Sequence, residues 1–142
     1  GIKPDGSFQD ASMNSFNHYA YGSVGEWLYA RVAGIDWDEA APGFRSIRFR
    51  PLFDRRIGWC RAAYVAPTGR VASAWEMDGN EVRWRVTVPA NCTGVVELPC
   101  AADRIALDGA PLDAEAIAMP GFAEACRFAI PSGDSTLIVR LA

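Results

Sequence analysis

The single histidine of the chain, His18, lies among the residues best suited to bind a polar ligand. Asn14, Ser15 and Asn17 supply amide and hydroxyl groups that donate and accept hydrogen bonds, and Phe16 adds an aromatic ring. A sugar pocket needs this combination, because sugar hydroxyls require hydrogen bonds and the C–H faces of the ring pack on flat apolar surfaces. A lone histidine on a helix is usually a satisfied structural residue, but with these neighbours both roles stay open.

Six acidic side chains lie in the first third of the chain, where a hydrolytic pair of carboxylates has to be considered. Inverting glycosidases place two carboxyl groups about 6.5–9.5 Å apart across the bond that they cleave. The sequence favours no particular pair, and solvated acids of loops and helix ends are the better interpretation for most of them. The acidic residues concerned are Asp5, Asp10, Glu26, Asp36, Asp38 and Glu39.

Other classes of site have little support in the sequence. It contains no glycine-rich phosphate loop, no His-Glu-x-x-His string and no Gly-x-Ser-x-Gly elbow. With one histidine and no Cys-x-x-Cys pair, neither a metal site nor a cofactor is expected. The four cysteines are interpreted as small buried hydrophobes, with a Cys92–Cys100 disulfide as the alternative; they are Cys60, Cys92, Cys100 and Cys126.

Charge and hydropathy exclude two kinds of partner. The formal net charge of -3 provides no basic surface for nucleic acid. The apolar runs are short, and none approaches the roughly 20 residues that a membrane-spanning helix needs. We therefore expect neither a nucleic-acid partner nor a membrane partner.

The apolar spacing before Pro42 predicts one helix over residues 16–33, with Gly34 as its C-terminal stop. Gaps of three and four residues place one apolar stripe on this helix: Phe16, Ala20, Val24, Trp27, Leu28 and Val32. A second face carries His18, Tyr21, Gly22, Gly25 and Tyr29. Glycines on one helical face suggest the close approach of another backbone or of a ligand. Since one helix cannot bury two such faces, a partner is required.

After Pro42 the pattern changes to short strands and turns. Alternating apolar residues and turn signals such as Asp78-Gly79-Asn80 predict eight strands, over residues 46–52, 58–66, 70–77, 81–88, 93–98, 104–107, 126–130 and 136–141. Trp37 and the acids Asp36, Asp38 and Glu39 are expected to form a short turn or a single helical turn before Pro42. The predicted fold is mainly β, an antiparallel two-sheet, jelly-roll-like sandwich preceded by a short helical segment. The domain division is residues 1–41 and 42–142.

Several strings resemble the end of the catalytic domain of bacterial α-L-rhamnosidases of glycoside hydrolase family 78. The resemblance is dense over residues 8–35, where Phe8-Gln9-Asp10, Met13-Asn14-Ser15-Phe16-Asn17-His18-Tyr19-Ala20 and Gly22-Ser23-Val24-Gly25-Glu26-Trp27-Leu28-Tyr29 occur. It is looser over residues 42–100, with Pro42-Gly43-Phe44 and Ile47-Arg48-Phe49-Arg50-Pro51 as its clearest parts.

The resemblance implies an enzyme that cleaves terminal α-L-rhamnose from glycosides with inversion. It also implies an (α/α)6 helical barrel followed by a C-terminal β-sandwich. Residues 1–41 would then be a loop and the last barrel helix, whose partners are the rest of the barrel. The family's motif places His18 in the rhamnose pocket, with Asn14, Phe16 and Asn17 shaping its wall. A bacterial, cytoplasmic parent protein is the favoured expectation.

The catalytic residues of that family are expected to be missing from this chain. Its general base belongs to a Trp-Glu-Arg-Trp-like string just before the matching motif, and its general acid lies further upstream. No carboxylate present here should inherit either role, so the chain alone is expected to be inactive. Its exposed helix should be covered by a second copy in a homodimer, or should fold onto the sandwich.

Two alternatives keep a free-standing function open. A lectin-like β-sandwich with a helical appendage would need exposed aromatic residues on one sheet, and Trp59, Trp75 and Trp84 are the candidates. Their alternation with polar residues favours core positions for all three. A purely structural domain is the other alternative.

Overall fold

Two β-sheets make up most of the computed structural model, which describes residues 1–12, 18–38, 41–112 and 114–141. The first sheet has the strand order β1-β2-β6-β10-β9, and the second has the order β3-β4-β5-β11-β7-β8. The strands are β1 (Ile35–Trp37), β2 (Ser46–Phe49), β3 (Trp59–Ala66), β4 (Gly69–Asp78), β5 (Glu81–Val88), β6 (Thr93–Leu98), β7 (Ile105–Leu107), β8 (Ala110–Pro111), β9 (Glu115–Ala116), β10 (Cys126–Ile130) and β11 (Gly133–Arg140). The predicted class, a mainly β two-sheet sandwich after a short helical segment, is confirmed.

Alternation along β5 shows why the sheets pack face to face. Val82, Trp84 and Val86 are buried, whereas Arg83 and Arg85 between them are exposed. Successive side chains of a strand point to opposite faces, so one face of β5 joins the core and the other meets solvent. The buried side chains of both sheets form one apolar cluster with the end of the helix.

All eight predicted strands are present, and the structure adds β1, β8 and β9. The short turn or single helical turn expected around Trp37 is wrong for Asp36 and Trp37, because Ile35–Trp37 pairs as an antiparallel strand with β2. Strand β2 in turn pairs in parallel with β6, from Ser46 opposite Thr93 to Phe49 opposite Val96. The sandwich is therefore antiparallel except for this one pair among the described strands.

The N-terminal helix consists of three consecutive turns with different hydrogen bonding. A 3-10 turn at Tyr19–Gly22 leads into an α-helical turn at Ser23–Trp27 and a π-helical turn at Leu28–Ala33. A separate 3-10 turn spans Ala102–Arg104. The described helix thus agrees with the prediction over residues 19–33, while the predicted start at residue 16 lies outside the described residues.

Buried hydrogen bonds join the end of the helix to the sandwich. The indole N–H of Trp75 donates to the carbonyl of Val32 at 2.8 Å, and the hydroxyl of Ser73 donates to that of Ala33 at 2.6 Å. The same hydroxyl accepts the indole N–H of Trp84 at 2.9 Å. The last carbonyls of a helix lack partners within the helix, and here β4 supplies those partners inside the core.

Gly34 ends the helix as predicted and is also the point of closest contact with the sandwich. Its backbone is left-handed, with φ 73° and ψ 23°. A Cβ atom at this position would lie 2.2 Å from the backbone nitrogen of Pro51. The amide of Arg50 donates to the carbonyl of Gly34 at 2.9 Å, which holds the chain after β2 against the helix end. Only glycine meets both requirements.

The four cysteines are free thiols, so the alternative of a Cys92–Cys100 disulfide is not formed. Cys92, Cys100 and Cys126 are buried, as expected for small hydrophobic residues, whereas Cys60 is only half-buried. Cys100 and Cys126 share a hydrogen bond, and burial raises the pKa of the Cys100 thiol to about 12. Cys100 and Cys126 are therefore protonated packing groups at neutral pH.

Replacing Ser73 tests the joint between helix and sandwich. In Ser73→Ala the indole N–H of Trp84 and the carbonyl of Ala33 lose their buried partner, so the free energy of unfolding should fall by about 2–3 kcal/mol. Urea unfolding measures this loss. The control is Ser46→Ala, a half-buried serine with no side-chain hydrogen bond to a described residue, expected to change stability by no more than about 0.5 kcal/mol. Equal losses in both variants would contradict the role of Ser73.

Two glycines with similar backbones separate conformational strain from steric overlap. Gly43 has φ +79° and open space within 4 Å of where a Cβ atom would lie, whereas Gly34 has φ +73° and faces Pro51. Gly43→Ala should cost about 1 kcal/mol of stability from strain alone. Gly34→Ala should cost more than about 3 kcal/mol, because the backbone of the sandwich must also move. Thermal and urea unfolding of both variants give the comparison, and similar losses would show that the contact at Gly34 is unimportant.

Candidate functional site

Of the four residues expected to line a sugar pocket, His18 alone falls within the described ranges; Asn14, Phe16 and Asn17 lie outside them. His18 directly precedes the first helical turn, with an extended backbone at φ −71° and ψ 133°. Its carbonyl accepts the amide of Tyr21 at 3.0 Å, which starts the turn. Its imidazole is exposed and meets the Tyr21 ring edge-on, with ring centroids 6.0 Å apart.

The apolar stripe of the helix is divided between two environments. Val32 is buried against the sandwich, but Val24 is 58%, Trp27 48% and Leu28 47% exposed. A continuous run of half-exposed large apolar side chains is unusual on a soluble protein and marks an interaction surface. The structure thus shows the exposed stripe that the sequence predicts for a helix without its partners.

The second face of the helix is open as well. A Cβ atom added at Gly22 or Gly25 would meet no heavy atom of the described structure within 4 Å. Tyr21 is 70% exposed, while the Tyr29 hydroxyl reaches the carbonyl of Ala63 at 3.2 Å. The close approach expected at the two glycines is therefore not made by the described part of this chain.

A shallow cavity of about 220 Å³ lies where the helix meets the sandwich. Its walls are mostly apolar, with two arginines at the margin: Trp27, Arg31, Arg50, Pro51, Leu52, Pro99, Met119 and Phe122. These residues come from four separate stretches of the chain, so spacing in the sequence carries no signal for them. The cavity extends the exposed helix stripe onto the sandwich, and the two form one surface.

The family of this chain follows from its central part. Residues 34–109, just over half of the chain, match the bacterial alpha-L-rhamnosidase C-terminal domain. The chain belongs to this family. The match begins at Gly34, the residue that ends the helix, and it includes strands β1 to β7.

Relatives of this C-terminal domain occur in much longer proteins. The chain is 43% identical over 98 residues to an alpha-L-rhamnosidase of Streptomyces avermitilis. This alignment covers 69% of the present chain and 9% of the Streptomyces protein. It is 39% identical over 92 residues to an alpha-L-rhamnosidase of Formosa agariphila, covering 65% of this chain and 10% of the relative. The chain thus spans about a tenth of the length of these curated relatives.

Solved structures show the same fold over nearly the whole chain. The crystal structure of Streptomyces avermitilis alpha-L-rhamnosidase complexed with L-rhamnose superposes with a TM-score of 0.75 and 34% identity, covering 98% of this chain and 13% of that one. The alpha-L-rhamnosidase of Aspergillus terreus superposes with a TM-score of 0.66 and 26% identity, with 98% and 13% covered. The similarity therefore extends beyond the family match to both ends of the chain.

The acids of this rhamnosidase domain that have shifted pKa values do not behave as proton donors. Asp5 and Asp10 are exposed and accept hydrogen bonds from Ser7 and Ser12, which lower the pKa of both carboxyl groups. The Arg56 guanidinium, with a hydrogen bond at 2.6 Å, lowers the pKa of Asp54 to about 2. A general acid needs a raised pKa, so these three carboxylates are unsuited to that role.

The described residues also offer little for metal binding. Within residues 1–12, 18–38, 41–112 and 114–141, no group of three or more histidine, cysteine, aspartate or glutamate side chains is placed to hold a metal ion. Among the same residues, no helix is long and apolar enough to span a bilayer.

Proposed function

We propose that this chain is the C-terminal portion of a glycoside hydrolase of family 78 that releases terminal α-L-rhamnose from glycosides with inversion. The observation that carries the proposal is the exposed stripe of the N-terminal helix, at Val24, Trp27 and Leu28, fixed to a sandwich of the rhamnosidase C-terminal domain family. A helix of this kind requires apolar partners. The remaining nine-tenths of a rhamnosidase, which this chain does not contain, would supply them.

The sandwich has a supporting role in this proposal. The bonds from Ser73 and Trp75 to the last carbonyls of the helix hold the helix end in the core. A helix of a helical barrel that is anchored in this way cannot fray, so the sandwich stabilises the barrel edge that it closes. We place the boundary between the two parts at Gly34, because β1 already belongs to the sandwich sheet.

The proposed substrate contact is His18, with Asn14, Phe16 and Asn17 as further parts of the pocket wall. The imidazole of His18 is exposed, and the residue directly precedes the first helical turn. It is therefore available to a rhamnose bound between this helix and the missing helices. The general acid and base would come from those helices, so this chain alone has no hydrolytic activity.

In the isolated chain, we propose that a second copy covers the exposed stripe. Burying a side chain such as Leu28 contributes roughly 1.5–3 kcal/mol. The stripe and the adjoining cavity offer a continuous apolar surface on which two copies can meet. In the full-length enzyme the barrel would occupy the same surface, so the homodimer is a property of the fragment.

A chimera tests the proposed activity. The matching C-terminal segment of the Streptomyces avermitilis enzyme is replaced by this chain, and the release of p-nitrophenol from p-nitrophenyl α-L-rhamnopyranoside is measured. We expect activity in the chimera and none in the 142 residues alone. His18→Ala in the chimera should lower kcat/KM by about ten-fold or more, as the loss of a hydrogen bond in a closed pocket predicts.

The control for the chimera is Glu124→Ala, an exposed residue of the sandwich, which should leave kcat/KM unchanged. A folded chimera without activity would contradict the proposed function. Full activity of the His18→Ala chimera would contradict the pocket assignment alone. Rhamnose release by the pure isolated chain would overturn the assignment of the catalytic carboxylates to the missing part.

Self-association is tested with a charge in the stripe. Leu28→Glu should weaken dimerisation of the isolated chain by about ten-fold or more, because the carboxylate would be buried in an apolar contact. Val65→Glu is the matched control, since Val65 is 80% exposed on β3, outside the stripe. Sedimentation velocity over a range of concentrations distinguishes the outcomes, and a wild-type chain that remains monomeric would refute the dimer.

A further inference from the structure

The outer face of the second sheet carries an ordered set of side chains. Two rows of residues cross strands β3, β4 and β5 side by side. Trp59 lies opposite Glu76, which lies opposite Arg83, and in the next row Arg61 lies opposite Ala74, which lies opposite Arg85. We call these six residues the Trp59 platform. All but Ala74 are exposed.

Trp59 differs from the other tryptophans of this sheet. Trp75 and Trp84 are buried and hydrogen-bonded, as their alternation predicts, but Trp59 is 63% exposed, so its expected core position is wrong. The reason is that Trp59 begins an edge strand on the outward phase of the pleat. The Arg61 guanidinium lies 6.0 Å from its ring centroid, a cation–π contact that helps to hold the indole on the surface.

The shape of the surface around the Trp59 platform suits a flat ligand. Beside the indole is an open depression of about 450 Å³, lined by Gly58, Trp59, Arg61, Glu76 and Met77. Alanines form the floor beyond this depression. Ala72 lies two residues before Ala74 on β4, and it is opposite Ala63 on β3. Small residues between a raised indole and long arginines make a shallow trough across the strands.

The six residues of the Trp59 platform have a net charge of +2, whereas the whole chain has a net charge of -3; the exposed Asp78 and Glu81 follow in the next row of the same face. Arg61, Arg83 and Arg85 outnumber Glu76, and none of the four forms an ion pair with another described residue. The ion pairs of the described structure are elsewhere, between Arg56 and Asp54 and between Arg127 and Glu97. Three guanidinium groups without carboxylate partners offer bidentate hydrogen bonds to an anionic ligand.

We propose that the Trp59 platform binds an acidic polysaccharide, with a sugar ring stacked on Trp59 and uronate carboxylates held by Arg61, Arg83 and Arg85. The indole provides the flat apolar surface that a sugar ring requires, and the arginines match planar carboxylates. The choice of a glycan over another polyanion rests on the proposed function, since the parent enzyme acts on glycosides.

The platform stays accessible when the helix is covered. Ser73 and Trp75 point from β4 to the core, where they bind the helix end, whereas Ala74 and Glu76 point to the opposite face. Because neighbouring residues of a strand face opposite ways, the barrel and the glycan would occupy different sides of the sheet. The platform would then hold an acidic stretch of the polymer while a terminal rhamnose occupies the catalytic pocket.

Calorimetric titration of the 142-residue chain with oligogalacturonate at low ionic strength tests the proposal. Binding is expected, and it should be at least ten-fold weaker for the methyl-esterified oligomer, which lacks the charges. Trp59→Ala and the double variant Arg83→Gln, Arg85→Gln should each weaken binding by about ten-fold or more. The double variant should also reduce the salt dependence of the affinity.

Circular dichroism and urea unfolding check that each variant is folded. The conservative variant Trp59→Phe should retain part of the affinity.

Matched controls lie on the other sheet and in a loop. Trp37→Ala removes another half-exposed tryptophan and Arg45→Gln another exposed arginine, and neither should change the affinity. Absence of binding, equal binding of the esterified oligomer, or equal losses in the controls would overturn the proposal. Equal affinity for poly-glutamate would overturn the assignment to a glycan. Since binding is measured without hydrolysis, it can succeed or fail independently of the rhamnosidase chimera.

Discussion

The structure depends on one buried set of hydrogen bonds, which connects the last carbonyls of the helix to the centre of the sandwich. The hydroxyl of Ser73 makes two of these bonds, because it donates to the carbonyl of Ala33 and accepts from the indole N–H of Trp84. A helix end in an apolar core would leave carbonyl groups without partners, and that cost would exclude the present packing. With the bonds made, Val32 and Ala33 become part of the core, and the direction in which the helix leaves the sandwich is set.

Most of the fold could be predicted because strands with one buried face alternate with period two. Val82 to Val88 is the clearest case, and its predicted bounds and faces are those observed. The strand β1 was missed because it is only Ile35–Trp37, next to acids that are typical of turns, and its existence depends on pairing with β2. The sequence also did not predict that β2 pairs in parallel with β6. Whether two strands pair in parallel depends on how the chain connects them, and the local pattern of apolar residues does not contain that information.

Candidate site residues can be proposed from the sequence only where a motif is continuous in the chain. His18 belongs to such a string, and the structure finds it exposed at the beginning of the helix. The cavity beside Trp27 combines residues from four stretches, and the platform requires the exact register of three strands. Trp59 illustrates the limit: alternation correctly identifies two faces of a strand, but the face that meets solvent is chosen by the packing of the whole sheet.

The position of β11 has a consequence for how the protein is made. This strand comes last in the order of the elements, yet it lies inside the second sheet, between β5 and β7. Until it emerges from the ribosome, β7 and β8 have no neighbour connecting them to β5, and the core beneath Trp84 lacks Leu137 and Val139. The second sheet can therefore be completed only after β11 has been made. The carbonyls at the end of the helix, which bond to β4 in this sheet, are therefore enclosed in a complete core only after β11 has joined it.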